Sequence, residues 1–232
     1  MLITVNGLAK LTLLDFPGRT AATVFLAGCN MRCPFCHNAP LIVDMAGVER
    51  IEESELRAFL AKRRGVLDGV AITGGEPTLR KDLGELLSVI KEYGYDTKLD
   101  TNGTNPDILR ELIHDKLVDY VAMDIKNAPA RYAETVGVEN FDMTPIFESV
   151  KILRESGVEH EFRTTVVSGL HDEASMRGIG EWLCGTERYF LQNFVDSGAL
   201  LVPGTAGVDR DTMRAYLEII REYIPSARLR GM

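Results

Sequence analysis

Three of the chain's four cysteines, Cys29, Cys33 and Cys36, lie close together in the spacing Cys-x3-Cys-x2-Cys, and the fourth, Cys184, stands far downstream. Thiolates this close can converge on one metal centre, and soft sulfur ligands select zinc, copper(I) or iron–sulfur clusters. The number of ligands matters. A structural zinc site is closed by four ligands, whereas a cubane held by three cysteines keeps one iron open to a further ligand. His37 or Cys184 could close a zinc site, and spacing alone leaves that reading open. A disulfide framework suits the chain poorly, because such frameworks belong to short, cysteine-dense secreted domains.

Other residues able to do chemistry follow at intervals. Thr73-Gly74-Gly75-Glu76-Pro77 offers two glycines that let backbone approach a ligand. It also puts a carboxylate at a helix start, where negative charge is favoured. Asp100-Thr101-Asn102-Gly103 contains the common turn pair Asn-Gly. Around Asp124-Ile125-Lys126 the strand period puts Ala122, Asp124 and Lys126 on one face and Val121, Met123 and Ile125 on the other. Asp15, in Leu14-Asp15-Phe16-Pro17-Gly18-Arg19, has a plain reading as a turn former, and Arg163 as a strand-end charge. Cys184, beside Trp182 and Leu183, reads as a small buried hydrophobe. His114 and His171 read as surface or helix-end residues.

The elements that must position these groups alternate in type. Apolar, β-rich runs predict strands over 21–26, 66–73, 95–100, 117–126, 159–167 and 189–194. Amphipathic spacing predicts helices over 51–62, 79–93, 106–114, 144–155, 171–184 and 209–223. Such alternation argues for a parallel α/β fold. The polar and glycine-rich residues recur just past the strands, where parallel α/β architectures carry their sites. Six units are too few for a closed eight-stranded barrel.

Composition narrows the class. The 232 residues are 45% hydrophobic and 26% charged, as in a soluble globular protein with a full core. The whole chain, 1–232, is read as one domain. The net charge of −8 and the lack of any Lys/Arg-rich run argue against a nucleic-acid partner. No apolar stretch is long enough for a bilayer, and the start lacks the pattern of a signal peptide. A cytoplasmic location is expected, where thiols stay reduced.

The stretch Gly28-Cys29-Asn30-Met31-Arg32-Cys33-Pro34-Phe35-Cys36-His37-Asn38 resembles the signature of radical S-adenosylmethionine enzymes, with Phe35 at its aromatic position. The Gly-Gly-Glu-Pro run resembles the family motif that receives the ammonium of S-adenosylmethionine. Cys36-His37-Asn38, Asp100-Thr101-Asn102-Gly103 and Asp124-Ile125-Lys126 resemble the glycyl-radical activating branch. The early Asp-x-Pro-Gly loop and Arg163 fit the same branch. The sequence looks most like compact activating proteins of anaerobic ribonucleoside-triphosphate reductase.

The resemblance implies a partial (β/α)6 barrel, open on one side. It implies a [4Fe–4S] cluster on Cys29, Cys33 and Cys36, with Cys184 not a ligand, and S-adenosylmethionine on the open iron. Cofactor contacts are implied for Phe35, His37, Asn38, Gly74, Gly75, Glu76, Asp100, Thr101, Asp124, Lys126 and Arg163. Asn193 stands where related activases place a cofactor-contacting His. Asp15 is implied near the incoming substrate. A sodium or potassium ion is expected at Asp100, Thr101, Asp124 and the Ala122 carbonyl, because two carboxylates beside an anionic ligand group repel unless a cation lies between them. The implied partners are a glycyl-radical enzyme, anaerobic ribonucleotide reductase, and a flavodoxin- or ferredoxin-type electron donor. The Asp15–Arg19 loop and residues 198–207 are the expected contact surfaces.

Overall fold

The computed structural model describes residues 3–43, 47–196, 198 and 200–231. The chain opens with β1 (Thr4–Val5), β2 (Gly7–Thr12), β3 (Ala21–Leu26), α1 (Pro40–Val43), β4 (Ile51–Glu52) and α2 (Glu53–Lys62). It continues with β5 (Gly69–Gly74), α3 (Leu83–Glu92), β6 (Asp96–Thr101), α4 (Pro106–His114), β7 (Tyr120–Asp124), α5 (Tyr132–Val136) and α6 (Thr144–Ser156). The last elements are β8 (Glu159–Val166), α7 (Glu173–Trp182), β9 (Tyr189–Asn193), α8 (Arg210–Arg221) and β10 (Arg228–Arg230). Eight strands form one sheet in the order β10-β9-β8-β7-β6-β5-β3-β2. Its middle six are the expected strands, all parallel; β10 adds a seventh parallel strand, and β2 runs antiparallel to β3. The sheet ends at β2 and β10, which do not pair with each other, so the barrel is partial and open.

Several boundaries shift for local reasons. The strand expected from residue 66 starts at Gly69, because residues 64–67 turn at the end of α2 and leave Val66 exposed. The helix expected over 79–93 starts at Leu83. Before it, Glu76 caps a short 3-10 turn, Pro77–Leu79, that Arg80 leaves in extended backbone. Residues 51 and 52 pair with β1 before α2 begins.

Side-chain alternation sorts the strands into two environments. Val121, Met123 and Ile125 of the β7 region point outward and are buried against the helical layer with Leu86, Leu87, Ile146 and Leu153. Each such burial contributes about 1.5–3 kcal/mol. Tyr120 and Ala122 point inward, where they meet Phe16 and Ala21. Phe16 lies on Tyr120 with ring centroids 6.0 Å apart, and a side chain at Gly69 would collide with its ring at 2.8 Å. These residues sit at the amino ends of β3, β5 and β7, so an aromatic plug closes that end of the barrel. The polar groups gather toward the carboxyl ends.

Candidate active site

The loop after β3 carries the three cysteines and is fastened on several sides. Gly28 N–H donates to the Leu41 carbonyl (2.9 Å), Arg32 N–H to that of Val136 (2.8 Å), and Val202 N–H to that of Pro34 (3.1 Å). Cys36 N–H closes a turn onto the Cys33 carbonyl (3.1 Å). All three cysteines line one cavity of about 250 Å³, together with Gly74, Gly75, Asp100, Thr101, Asp124, Lys126 and Arg163. A larger groove, about 650 Å³, lies on the outer surface among α2, α3 and α4. No barrel strand lines it, and its Arg57 is already paired with Glu53 and Glu92.

The donor set fits an iron–sulfur cluster. Burial pushes the Cys33 thiol up to about 11, and burial also raises Cys29 and Cys36. Buried thiols gathered on one wall become stable thiolates when metal takes the place of their protons. Among the described residues no group of three His, Cys, Asp or Glu side chains is arranged to hold a single metal ion. A single ion draws its thiolates in to bonds of about 2.3 Å, whereas a cubane takes each on a different iron. His37 does not complete a zinc site. Its ring stacks on Phe194 (5.0 Å, 12°) and its Nε2 meets the Val195 carbonyl at 2.8 Å. Cys184 is exposed, in the turn after α7, which corrects its expected burial. Leu183 takes the buried place there instead.

The two glycines at the end of β5 are demanded by backbone rather than by ligand. Gly74 has φ +125°, and a Cβ there would lie 2.1 Å from the Leu26 carbonyl oxygen. A Cβ on Gly75 would lie 2.0 Å from that of Gly28. The space is used by two bonds, Gly75 N–H to Leu26 and Glu76 N–H to Gly28, each 2.8 Å. Asn38 Nδ2 donates to the Gly74 carbonyl (2.7 Å), joining the cysteine loop to the glycine turn. Glu76 lies behind this turn and does not line the cavity. Its Oε1 accepts from Thr78 N–H (3.1 Å) and from the hydroxyls of Thr78 (2.5 Å) and Thr101 (2.8 Å), and its Oε2 from Asn102 N–H (2.6 Å). Burial raises its carboxyl while these donors draw it down.

Parallel pairing sets Asp100 opposite Ala122 and Asp124 opposite Arg163. Inside the barrel the charges then alternate. Lys98 pairs with Asp100. Arg163 reaches Asp100 through Nη2 (3.0 Å) and Asp124 through Nε (2.5 Å). Lys126 completes the row on Asp124 (2.9 Å). Burial opposes ionisation of Asp124, but Arg163 and Lys126 outweigh it and hold the carboxyl well below the usual range. Asp100 is lowered against burial by Arg163 and Lys98. The guanidinium of Arg163 already stands between the carboxylates, so their mutual repulsion does not by itself call for sodium or potassium at Asp100, Thr101, Ala122 and Asp124.

Asp15, expected near the incoming substrate, is exposed and lies outside the cavity, and its carboxylate accepts the Thr23 hydroxyl (2.5 Å). Asn193 and His171 are placed differently from expectation. Asn193 points outward, where it donates to the Val208 carbonyl (2.7 Å) and accepts from Val208 N–H (3.0 Å). Its neighbour Gln192 lines the cavity. His171 is buried, not on the surface, and Lys126 is held through it: Nδ1 accepts from Val167 N–H (3.1 Å), leaving Nε2–H for the Lys126 carbonyl (2.8 Å). Lys98, Asn102 and Gln192 are site residues the sequence reading passed over. Strand alternation in Asp96-Thr97-Lys98-Leu99-Asp100 and in Tyr189-Phe190-Leu191-Gln192 carries the signal for two of them. In the expected contact segment 198–207, Ala199 lies outside the described residues.

An open parallel barrel with three cysteines and a charged row at its carboxyl ends defines a cofactor-dependent enzyme. The chain belongs to the Radical SAM superfamily, whose model matches residues 23–176. That membership brings a [4Fe–4S] cluster and S-adenosylmethionine as cofactors. A candidate glycyl-radical enzyme activating enzyme of Methanocaldococcus jannaschii is 35% identical over 82% of this chain and 79% of its own. The pyruvate formate-lyase-activating enzyme of Clostridium pasteurianum is 30% identical over 72% of this chain and 70% of its own. The 7-carboxy-7-deazaguanine synthase of Thermococcus kodakarensis is 29% identical over 65% of each. Among solved structures, SuiB of Streptococcus suis superimposes with a TM-score of 0.70 at 17% identity, which speaks to the fold. It covers 91% of this chain, which in turn spans 49% of SuiB. No helix among the described residues is long and apolar enough to cross a membrane.

Proposed function

We propose that this enzyme installs a glycyl radical on a partner protein, and that the partner is an anaerobic ribonucleoside-triphosphate reductase. The similarity to a candidate glycyl-radical activating enzyme over most of both chains carries the reading. When bound, the cluster and S-adenosylmethionine would supply radical hydrogen-abstraction chemistry at a glycine Cα, with the electron drawn from a flavodoxin- or ferredoxin-type donor in the cytoplasm. The chain's own residues bind, orient and exclude water. Cys29, Cys33 and Cys36 hold the cluster. Arg163 and Lys126 offer positive charge to the carboxylate of the methionyl group, and Asp100, Asp124 and Thr101 offer acceptors to its ammonium and to ribose hydroxyls. Met31, Phe35 and Ile42 give the cavity apolar walls. The open barrel suits a substrate presented as a loop by another protein, which closes the site and excludes water on docking.

The test is anaerobic electron paramagnetic resonance of the enzyme mixed with reductant, S-adenosylmethionine and the reductase. A glycyl doublet is expected, and it vanishes with Cys33→Ala. Its absence with the reductase but presence with pyruvate formate-lyase replaces the partner and keeps the chemistry. The similarity to a deazaguanine synthase favours a second reading, chemistry on a small heterocyclic substrate. That reading prevails if 5′-deoxyadenosine accumulates with a small metabolite while no protein radical forms with either partner.

A further inference from the structure

Asn102 has its hydrogen-bonding capacity committed in a way that leaves one N–H for sulfur. Its Oδ1 accepts from Thr104 N–H (3.0 Å) and from the Thr104 hydroxyl (2.7 Å). Two donors on one oxygen fix the amide orientation, so Nδ2 faces the opposite side. There it has two hydrogens to place. One goes to Asn30 Oδ1 (3.0 Å), and Asn30 returns to the circuit through Thr104 Oγ1 (2.9 Å). The other points to Cys29 Sγ at 4.0 Å. The residue's own N–H is clamped by buried Glu76 (2.6 Å), so the side chain cannot drift along the strand end. Asn102 is 5% exposed, and a polar contact is stronger where water is scarce.

We infer that Asn102 raises the reduction potential of the cluster by donating a hydrogen bond to the Cys29 thiolate, beside the one from Met31 N–H (3.4 Å), with Glu76 and Thr104 positioning it. A donor withdraws electron density from a ligating sulfur and stabilises the reduced cluster; hydrogen bonds to sulfur are among the levers that place iron–sulfur potentials. Glu76 thereby acts at the cluster without touching a ligand, through the backbone of Asn102. The inference rests on Cys29 being a cluster ligand, which loss of iron in Cys29→Ala checks separately.

The experiment is a redox titration of the anaerobically reconstituted enzyme without substrate, followed by visible absorption and electron paramagnetic resonance. Asn102→Leu removes the donor without adding charge, and Asn102→Asp keeps the acceptor for Thr104. Both are expected to load iron and to shift the midpoint to more negative potential. If Asn102→Leu loads fully and keeps the wild-type midpoint, the inference is overturned, even if Asn102→Asp shifts, since charge alone explains that. Should Asn102→Leu fail to load, the Fe–S(Cys) stretching bands of Asn102→Asp decide. A move to higher frequency, as a sulfur relieved of its donor binds iron more strongly, upholds the inference, and unchanged bands overturn it.

Discussion

Arg163 stands between two carboxylates on neighbouring strands, and its removal should flatten their response to pH. In the native protein Asp100 and Asp124 are held below the ordinary aspartate value of about 3.9. The stability they contribute is complete above that value and lost as pH falls through the lower folded values. With Arg163→Met the carboxylates lose the cation they share and keep only Lys98 and Lys126, so their pKa values rise toward those of the unfolded chain. The loss of stability on the acid side then shrinks. Urea unfolding between about pH 2 and 8 should show a flatter slope below about pH 4, with about 3–5 kcal/mol lost at neutral pH. His171 gives a second pH signature. Burial lowers its pKa, so the unfolded chain takes up the proton first and stability declines as pH falls below about 6.5. His171→Gln should flatten that decline, measured by thermal unfolding from pH 5 to 8, while costing about 1–3 kcal/mol at pH 8.

Within elements, a single position decides which side of the sheet a residue serves. Gln192 faces the cavity and Asn193 faces the helical layer, because side chains alternate along β9. Asn193→Ala should lower stability by about 1–3 kcal/mol through its two lost bonds and leave S-adenosylmethionine affinity intact. Gln192→Ala should weaken that affinity in anaerobic equilibrium binding with an unchanged urea midpoint. The glycine turn gives a harsher test. Gly75→Ala places a methyl against the Gly28 carbonyl and should separate the cysteine loop from β5, seen as loss of iron per chain together with a lowered Tm. Of the six parallel strands, β3, β5 and β7 were legible as apolar runs, whereas β6, β8 and β9 showed through β-favouring residues bounded by turns. β2, Gly-Leu-Ala-Lys-Leu-Thr, escaped notice because it is a half-exposed edge with no continuous apolar signal. β10 and α5 are too short to show a period. The resemblance points to Asn193, whereas the alternation of Tyr189 and Leu191 with Gln192 points one residue earlier.

Across the whole molecule, the cysteine triad was legible from spacing and the motif order, whereas the counter-charges were not. Sequence shows that Asp100 and Asp124 lie at strand ends, but only the register of β6, β7 and β8 shows that Arg163 fits between them. The resemblance and the two carboxylates raise the expectation of a cation, and the guanidinium between them is visible only in the register. Glu161 is a similar case: it is fully buried, yet its partner Arg230 comes from β10, and that ion pair is bidentate at 2.5 and 2.7 Å. The open seam between β2 and β10 is a property of strand order that no local pattern reveals.

The Glu161–Arg230 pair also imposes a schedule on biosynthesis. The carboxylate leaves the ribosome 69 residues ahead of its guanidinium. At about 5–20 residues per second this is an interval of several seconds. Through that interval β3 to β8 can assemble, but a barrel closed around Glu161 would bury an uncompensated charge. The interior therefore closes around that carboxylate only once β10 brings Arg230 to it.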